Sequence, residues 1–105
     1  MAKVKAVFYV PVKDNDGRDL RAEIDETMME LYIRFVGWTF QGYVKGAFQM
    51  ADGSQSLDES GAYFVVLDET RIDELEQVLR EFKRKTTQEA IYLEIQRNIE
   101  FRFVR

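Results

Sequence analysis

Several groups of side chains in this sequence have types and spacings that chemistry can use. The first is VKDNDGRDLRAE, residues 12–23, where carboxylates and a glycine fall nearly as in a calcium loop. With Gly17 in the sixth position, Asp16 is fifth, Asp14 third and Glu23 twelfth, but the first position is Val12 and the eighth is Asp19. Asp14, Asp16 and Glu23 are thus the metal candidates. No metal is expected there, because a turn at Asn15, Asp16 and Gly17 and a helix cap at Asp19 account for every residue. The second group is SLDES, where Asp58, Glu59 and Ser60 offer carboxylates and a hydroxyl to a ligand. No histidine exists to activate Ser60, which leaves polar turn chemistry as the preferred account.

The third group is Gln88, Glu89, Tyr92 and Glu94. Two glutamates can act as acid and base if burial separates their pKa values, with Tyr92 or Tyr9 as a hydrogen-bond donor. Tyr9, Tyr92 and Glu94 are therefore the catalytic candidates, although the alternation of an amphipathic strand also puts polar residues on one side. The fourth group is basic: Arg80, Lys83, Arg84 and Lys85. A phosphate could sit there, but cations at a helix C-terminus are what the dipole favours, at about 0.3–1 kcal/mol each. Trp38, Tyr43, Asp58 and Glu59 complete the ligand-binding candidates.

These residues need elements to position them. The chain of 105 residues is expected to form one domain with one core. Residues 3–12 alternate as a strand with Val4, Ala6, Phe8 and Val10 on one face. Residues 20–36 place Leu20, Ile24, Met28, Leu31 and Phe35 at helical spacing, with Asp19 as cap and Gly37 as the left-handed terminator. WTFQGYVKGAFQM reads as a bent strand, residues 51–61 as an extended hairpin connection around Asp52-Gly53, and AYFVVL as a strand apolar on both faces. DETRIDELEQVLREFKRK is a helix with Ile72, Leu75, Leu79 and Phe82 inward, capped by Asp68 or Thr70. EAIYLEIQ is a last strand, and IEFRFV extends it. The order β-α-β-β-α-β specifies a ferredoxin-like α+β sandwich, an antiparallel sheet with two helices on one face and a short C-terminal strand extension. Val7, Tyr9, Tyr63, Val65 and Leu67 are expected on the other face. They make it too apolar for water, so a homodimer or higher symmetric oligomer is expected to cover it.

Composition removes whole classes of function. The absence of cysteine and histidine excludes disulfides, thiol nucleophiles, zinc sites of the usual kind and Ser-His-Asp triads. A net charge of -4 argues against nucleic acid as a partner. No window reaches the roughly 18 apolar residues of a membrane span, and no cleavable leader is recognised, so no membrane partner and a cytoplasmic location are expected.

The stretches PVKDNDGRDL, FVGWT, GYVKGAF, LDESGAYFVV and QEAIYLEI, in that order, resemble a family of small bacterial ferredoxin-like proteins without assigned activity. The chain departs from that pattern at Val36, where a second glycine beside Gly37 is usual, and in KTTQEA, where an aromatic precedes the glutamine. The resemblance implies the fold and no catalytic residue. The expected function is accordingly a small ligand-binding or protein-interaction module acting as a homo-oligomer. The alternative is a cofactor-independent enzyme of the dimeric α+β barrel type acting on a small organic substrate. Its pocket would lie between the first helix and the sheet, walled by Trp38, Phe40, Tyr43 and Phe48. No cofactor is expected under either reading.

Overall fold

Alternation in the first strand sets the plan of the molecule. The computed structural model describes residues 2–105. In β1 (Lys3–Pro11) the side chains of Val4, Ala6, Phe8 and Val10 are almost fully buried. They lie under the helices because β1 is an inner strand of a four-stranded sheet ordered β2-β3-β1-β4, with β2 at Thr39–Gln49, β3 at Gln55–Asp68 and β4 at Leu93–Gln96. All three pairings are antiparallel. This is the ferredoxin-like α+β arrangement.

Register decides which side chains share a face, because residues directly opposite in an antiparallel pair point the same way. Val4 faces Leu67, Ala6 faces Val65, and Phe8 faces Tyr63. Tyr63, Val65 and Leu67 therefore belong to the helix side, which corrects the expectation that they join Val7 and Tyr9. An all-apolar strand carries no parity signal of its own. The open face instead holds Lys5, Val7 and Tyr9 against Val66, Phe64 and Ala62 of β3, with Gln96 and Glu94 of β4 beside Lys5 and Val7. Val7 is only 5% exposed there. The Lys5 ammonium lies 4.3 Å from the centre of the Phe64 ring and covers part of this face.

Two helices cover the other side. In α2 (Ile72–Thr86), Leu75, Val78, Leu79 and Phe82 are buried, and the buried Thr86 hydroxyl donates to the Phe82 carbonyl at 2.7 Å. A single 3-10 turn, Glu69–Arg71, leads into α2, and neither Asp68 nor Thr70 supplies a side-chain cap. Asp68 pairs with Lys3 at 3.5 Å instead. In α1 (Arg21–Phe35), Met28, Leu31 and Phe35 are buried. Asp19 accepts the Arg21 N–H at 2.7 Å, as a cap would.

The residue that ends α1 in the left-handed region is Val36, at φ 72°, and not Gly37. The helix stops one residue earlier than the glycine suggests, at the position where the resembled pattern carries its own glycine. Arg34 then reaches Glu74 at 3.3 Å, and Arg71 donates to the Arg34 carbonyl at 2.8 Å while lying 4.5 Å over the Phe35 ring. Lys85 reaches Glu26 at 3.2 Å. These pairs dock the charged flank of α1 against α2.

The β2–β3 hairpin outgrows the sheet. β1 pairs only with residues 60–68 of β3, so residues 55–59 have β2 as their sole strand partner, although the Val12 N–H beyond β1 donates to the Glu59 carbonyl. The molecule fills an envelope of 46 × 26 × 25 Å. A bulge between Phe40 and Gly42, with Gly42 at φ 113°, adds one residue to β2 and swaps the faces of everything beyond it. Beyond β4, Asn98 at φ 59° turns the chain away, and residues 97–105 run on with no strand pairing where a strand extension was expected. No helix among the described residues is long and apolar enough to cross a membrane.

Candidate functional site

The overhang turns the open face into a cleft of about 700 Å³. Its floor is the end of β1, with Tyr9 and Pro11, and its near wall is the hairpin, with Val44, Gly46, Phe48, Ser56, Asp58 and Ser60. All of these sit at open-face positions in the register. The far wall is the connection from α2 to β4, residues 88–92, and Asn15 closes one end. The Phe48 ring lies flat over Gly46, where a Cβ would come within 2.7 Å of it. Only glycine leaves that ring its place in the wall.

Two tyrosines form the aromatic centre of the cleft. Tyr9 and Tyr92 stack with centroids 4.6 Å apart and planes 18° from parallel. The backbone locks the pair, since the Tyr9 N–H donates to the Tyr92 carbonyl at 3.2 Å. The Tyr92 hydroxyl donates to Glu94 at 3.3 Å, and Gln96 donates to the other oxygen of Glu94 at 3.2 Å. Desolvation first, then the Glu94 charge and hydrogen bond, push the Tyr92 phenol above its ordinary value. Tyr92 therefore stays protonated at neutral pH, as a donor. On the hairpin wall, Ser56 donates to Asp58 at 2.9 Å, which orients that carboxylate and leaves its other oxygen for a ligand. Asp58 and Glu89 are the acids of the lining, and Lys45, the lysine that borders the cleft, belongs by register to the other side of the hairpin. The cleft thus favours neutral or cationic ligands with hydroxyl or ammonium donors.

The structure brings together some of the residues singled out in the sequence and separates others. Tyr9, Tyr92, Gln88, Glu89, Asp58 and Ser60 line one cleft, and Glu94 stands directly behind Tyr92. Glu59 is on the opposite side of the hairpin, across from Lys45. Trp38, Phe40 and Tyr43 are on the helix side, where Trp38 and Phe40 pack around Tyr63 at 5.7 and 5.2 Å. Of the four aromatic wall residues expected, only Phe48 lines the cleft. The space between α1 and the sheet, where that pocket was expected, is filled by core side chains including Phe8, Leu20 and Leu31. Asn15, Val44 and Ser56 were missed; the bulge in β2 decides the face of Val44, and the register of β3 against β1 decides that of Ser56.

The acidic loop folds around its own cation. Asp14 accepts the backbone N–H groups of Asp16 and Arg18 at 3.0 and 2.8 Å. The Arg18 guanidinium bridges Asp14 at 3.1 Å and Glu23 at 2.9 Å. The Arg18 backbone N–H, then its side chain, hold the Asp14 carboxyl below its usual range, and the Arg18 side chain does the same for Glu23. Asp16 lends only its backbone N–H to this arrangement. Among the described residues, no group of three or more acidic side chains is arranged to hold a metal ion. In the basic cluster, Arg80 pairs with Glu76, Arg84 with Glu81, and Lys85 with Glu26, so most of that charge is already answered.

Comparison with known proteins extends the fold and nothing finer. The sequence matches no family model and no curated protein. Among solved structures it is similar to a phage SAM lyase in complex with S-methyl-5'-thioadenosine, with a TM-score of 0.72 and 14% identity over 91% of this chain and 81% of that one. The phage SAM lyase in its apo state is similar as well, with a TM-score of 0.67 and 14% identity over 90% of this chain and 79% of the other. At such identity the likeness shows a shared α+β fold.

Proposed function

We propose that the open-face cleft binds an adenosyl sulfonium or thioether and that the chain is a lyase that cleaves S-adenosylmethionine to S-methyl-5'-thioadenosine. The observation that carries this reading is the cleft itself, where a stacked tyrosine pair faces two carboxylates across about 700 Å³. That volume falls within the roughly 300–1,000 Å³ of small-molecule sites. The fold likeness to a protein solved with S-methyl-5'-thioadenosine supports the ligand class.

The chemistry suits a chain without histidine or cysteine. A sulfonium leaves carbon as a neutral thioether and takes the C–S bonding pair with it, so the leaving group needs no proton donor. The electron pair that replaces it comes either from the substrate's own carboxylate, which closes to a lactone, or from an adjacent C–H bond whose proton passes to a carboxylate of the site. Positive charge on sulfur fades as the bond breaks. An aromatic surround such as Tyr9 and Tyr92, from which a bound substrate displaces water, therefore favours the transition state over the hydrated ground state. Asp58 and Glu89 are suited to the ribose hydroxyls and the substrate ammonium, groups whose charge does not change during the reaction. This reading takes up the enzyme alternative, with a different pocket.

The test is direct. S-methyl-5'-thioadenosine is expected to raise the melting temperature of the chain, because a ligand of the folded state stabilises it by mass action. Asp58→Ala should abolish the rise, and incubation with S-adenosylmethionine should release S-methyl-5'-thioadenosine on a chromatogram. Absence of both shift and product would overturn the reading. A shift without turnover would remove the lyase and leave a ligand-binding module.

A further inference from the structure

The two helices have equal lengths and opposite outer surfaces. The exposed positions of α2 are Asp73, Gln77, Arg80, Glu81 and Arg84, all polar. On α1 the exposed set includes Met29, Tyr32 and Ile33, spaced i, i+3, i+4, with Ile33 72% accessible, and Val36, just past the helix end, is 85% accessible. That spacing is a second apolar stripe, on a helix whose first stripe is already used by the core. The ion pairs from Glu26 and Arg34 turn the charged flank of α1 toward α2, which leaves the apolar stripe on the flank nearer β2. Burial first, then the neighbouring Tyr43 and the charge of Asp25 on that flank, push the Tyr63 phenol up.

β2 continues this surface. It is an edge strand, hydrogen-bonded only to β3, and its helix-side residues Phe40 and Tyr43, with Trp38 just before it, are exposed. A free edge beside an apolar helix flank is a template for an added strand. The chain carries one segment that fits. Residues 99–105 alternate Ile99, Phe101 and Phe103 with Glu100 and Arg102, which is the pattern of a strand, yet they pair with nothing. Phe103 is 77% and Val104 96% exposed.

We infer that the free edge of β2 and the outer flank of α1 receive residues 99–105 of a second copy of this chain. Charge supports the match, because the acid of the outer flank of α1 is Asp25, whereas residues 99–105 carry Arg102 and Arg105 against Glu100. The donor is a second copy because the segment leaves β4, at the opposite edge of the sheet from β2. The contact joins two different patches, so it closes either as a reciprocal exchange or as a ring. It uses the helix side and edge of the sheet and leaves the cleft on the open face free.

Light scattering on the size-separated full chain tests this. The wild type is expected at a multiple of the 12.4 kDa chain mass. Phe101→Ser with Phe103→Ser, and separately Ile33→Asp, should each return it to one chain mass with an unchanged circular dichroism spectrum. Leu57→Asp, at an exposed apolar site on the hairpin, should leave the oligomer intact. A monomeric wild type would overturn the inference, as would an oligomer that survives the tail substitutions or one that survives Ile33→Asp. The thioadenosine-induced thermal shift persists in the tail variant if the cleft reading holds, so the two readings fail separately.

Discussion

One sheet carries two surfaces built on the same strands and the same two-residue period. On the helix side Val4, Ala6, Phe8 and Val10 have no polar residue of β1 among them and are sealed under α1 and α2. On the open side Val7, Tyr9 and Phe64 share the surface with Lys5, Ser60 and Glu94, and the hairpin overhang walls part of it into a cleft. The first surface gains its free energy from leaving water on folding. The second keeps aromatic faces and carboxylates in reach of a ligand, so it holds back free energy for binding. A change on one side should therefore act on stability and on the other side on recognition.

Neighbouring residues on β1 make the sharpest test of that division. Phe8→Ala empties a fully buried ring site and should cost about 3–5 kcal/mol in urea unfolding, a large part of the roughly 5–15 kcal/mol of a domain this size. Tyr9→Ala, one residue on and facing the other way, should cost no more than about 1.5 kcal/mol, the scale of one aromatic pair. The same variant should weaken thioadenosine binding at least tenfold in calorimetry. Equal losses of stability from the two variants would break the comparison. Smallest and opposite in sign is Val36→Gly, on neither face. A β-branched residue at φ 72° is strained, so glycine there should stabilise by about 1 kcal/mol and leave ligand affinity unchanged.

The strands and helices that alternate cleanly were legible in the sequence. Residues 3–11 and 72–86 each bury the face that their spacing marks, and the β-α-β-β-α-β order follows from them. What the sequence hid was parity. AYFVVL is apolar on both faces, so only its register against β1 shows that Tyr63 joins the core and Phe64 does not. One inserted residue near Gln41 moves Phe48 into the cleft and Tyr43 away from it, and a bulge has no signature beyond a glycine. The chemistry of the third candidate group was legible as residue types, and Tyr9, Tyr92 and Glu94 do meet. Asp58 and Ser60 were legible as residue types too, but not their place across from the tyrosines, because the overhang exists only once β1 is known to end at Pro11. The acidic loop went the other way: its carboxylates were visible, but their partner Arg18 acts through folded geometry that spacing does not report.

The overhang has a dynamic consequence. Residues 45–49 and 55–59 form a two-stranded ribbon with no third strand alongside, and such ribbons are marginally stable in water. Their ladder can open without disturbing the core, so amide protons there should exchange with solvent well before those of β1. One jaw of the cleft is thus hinged to a rigid block, and a ligand gripped between Asp58 and Tyr92 would slow that exchange by closing it.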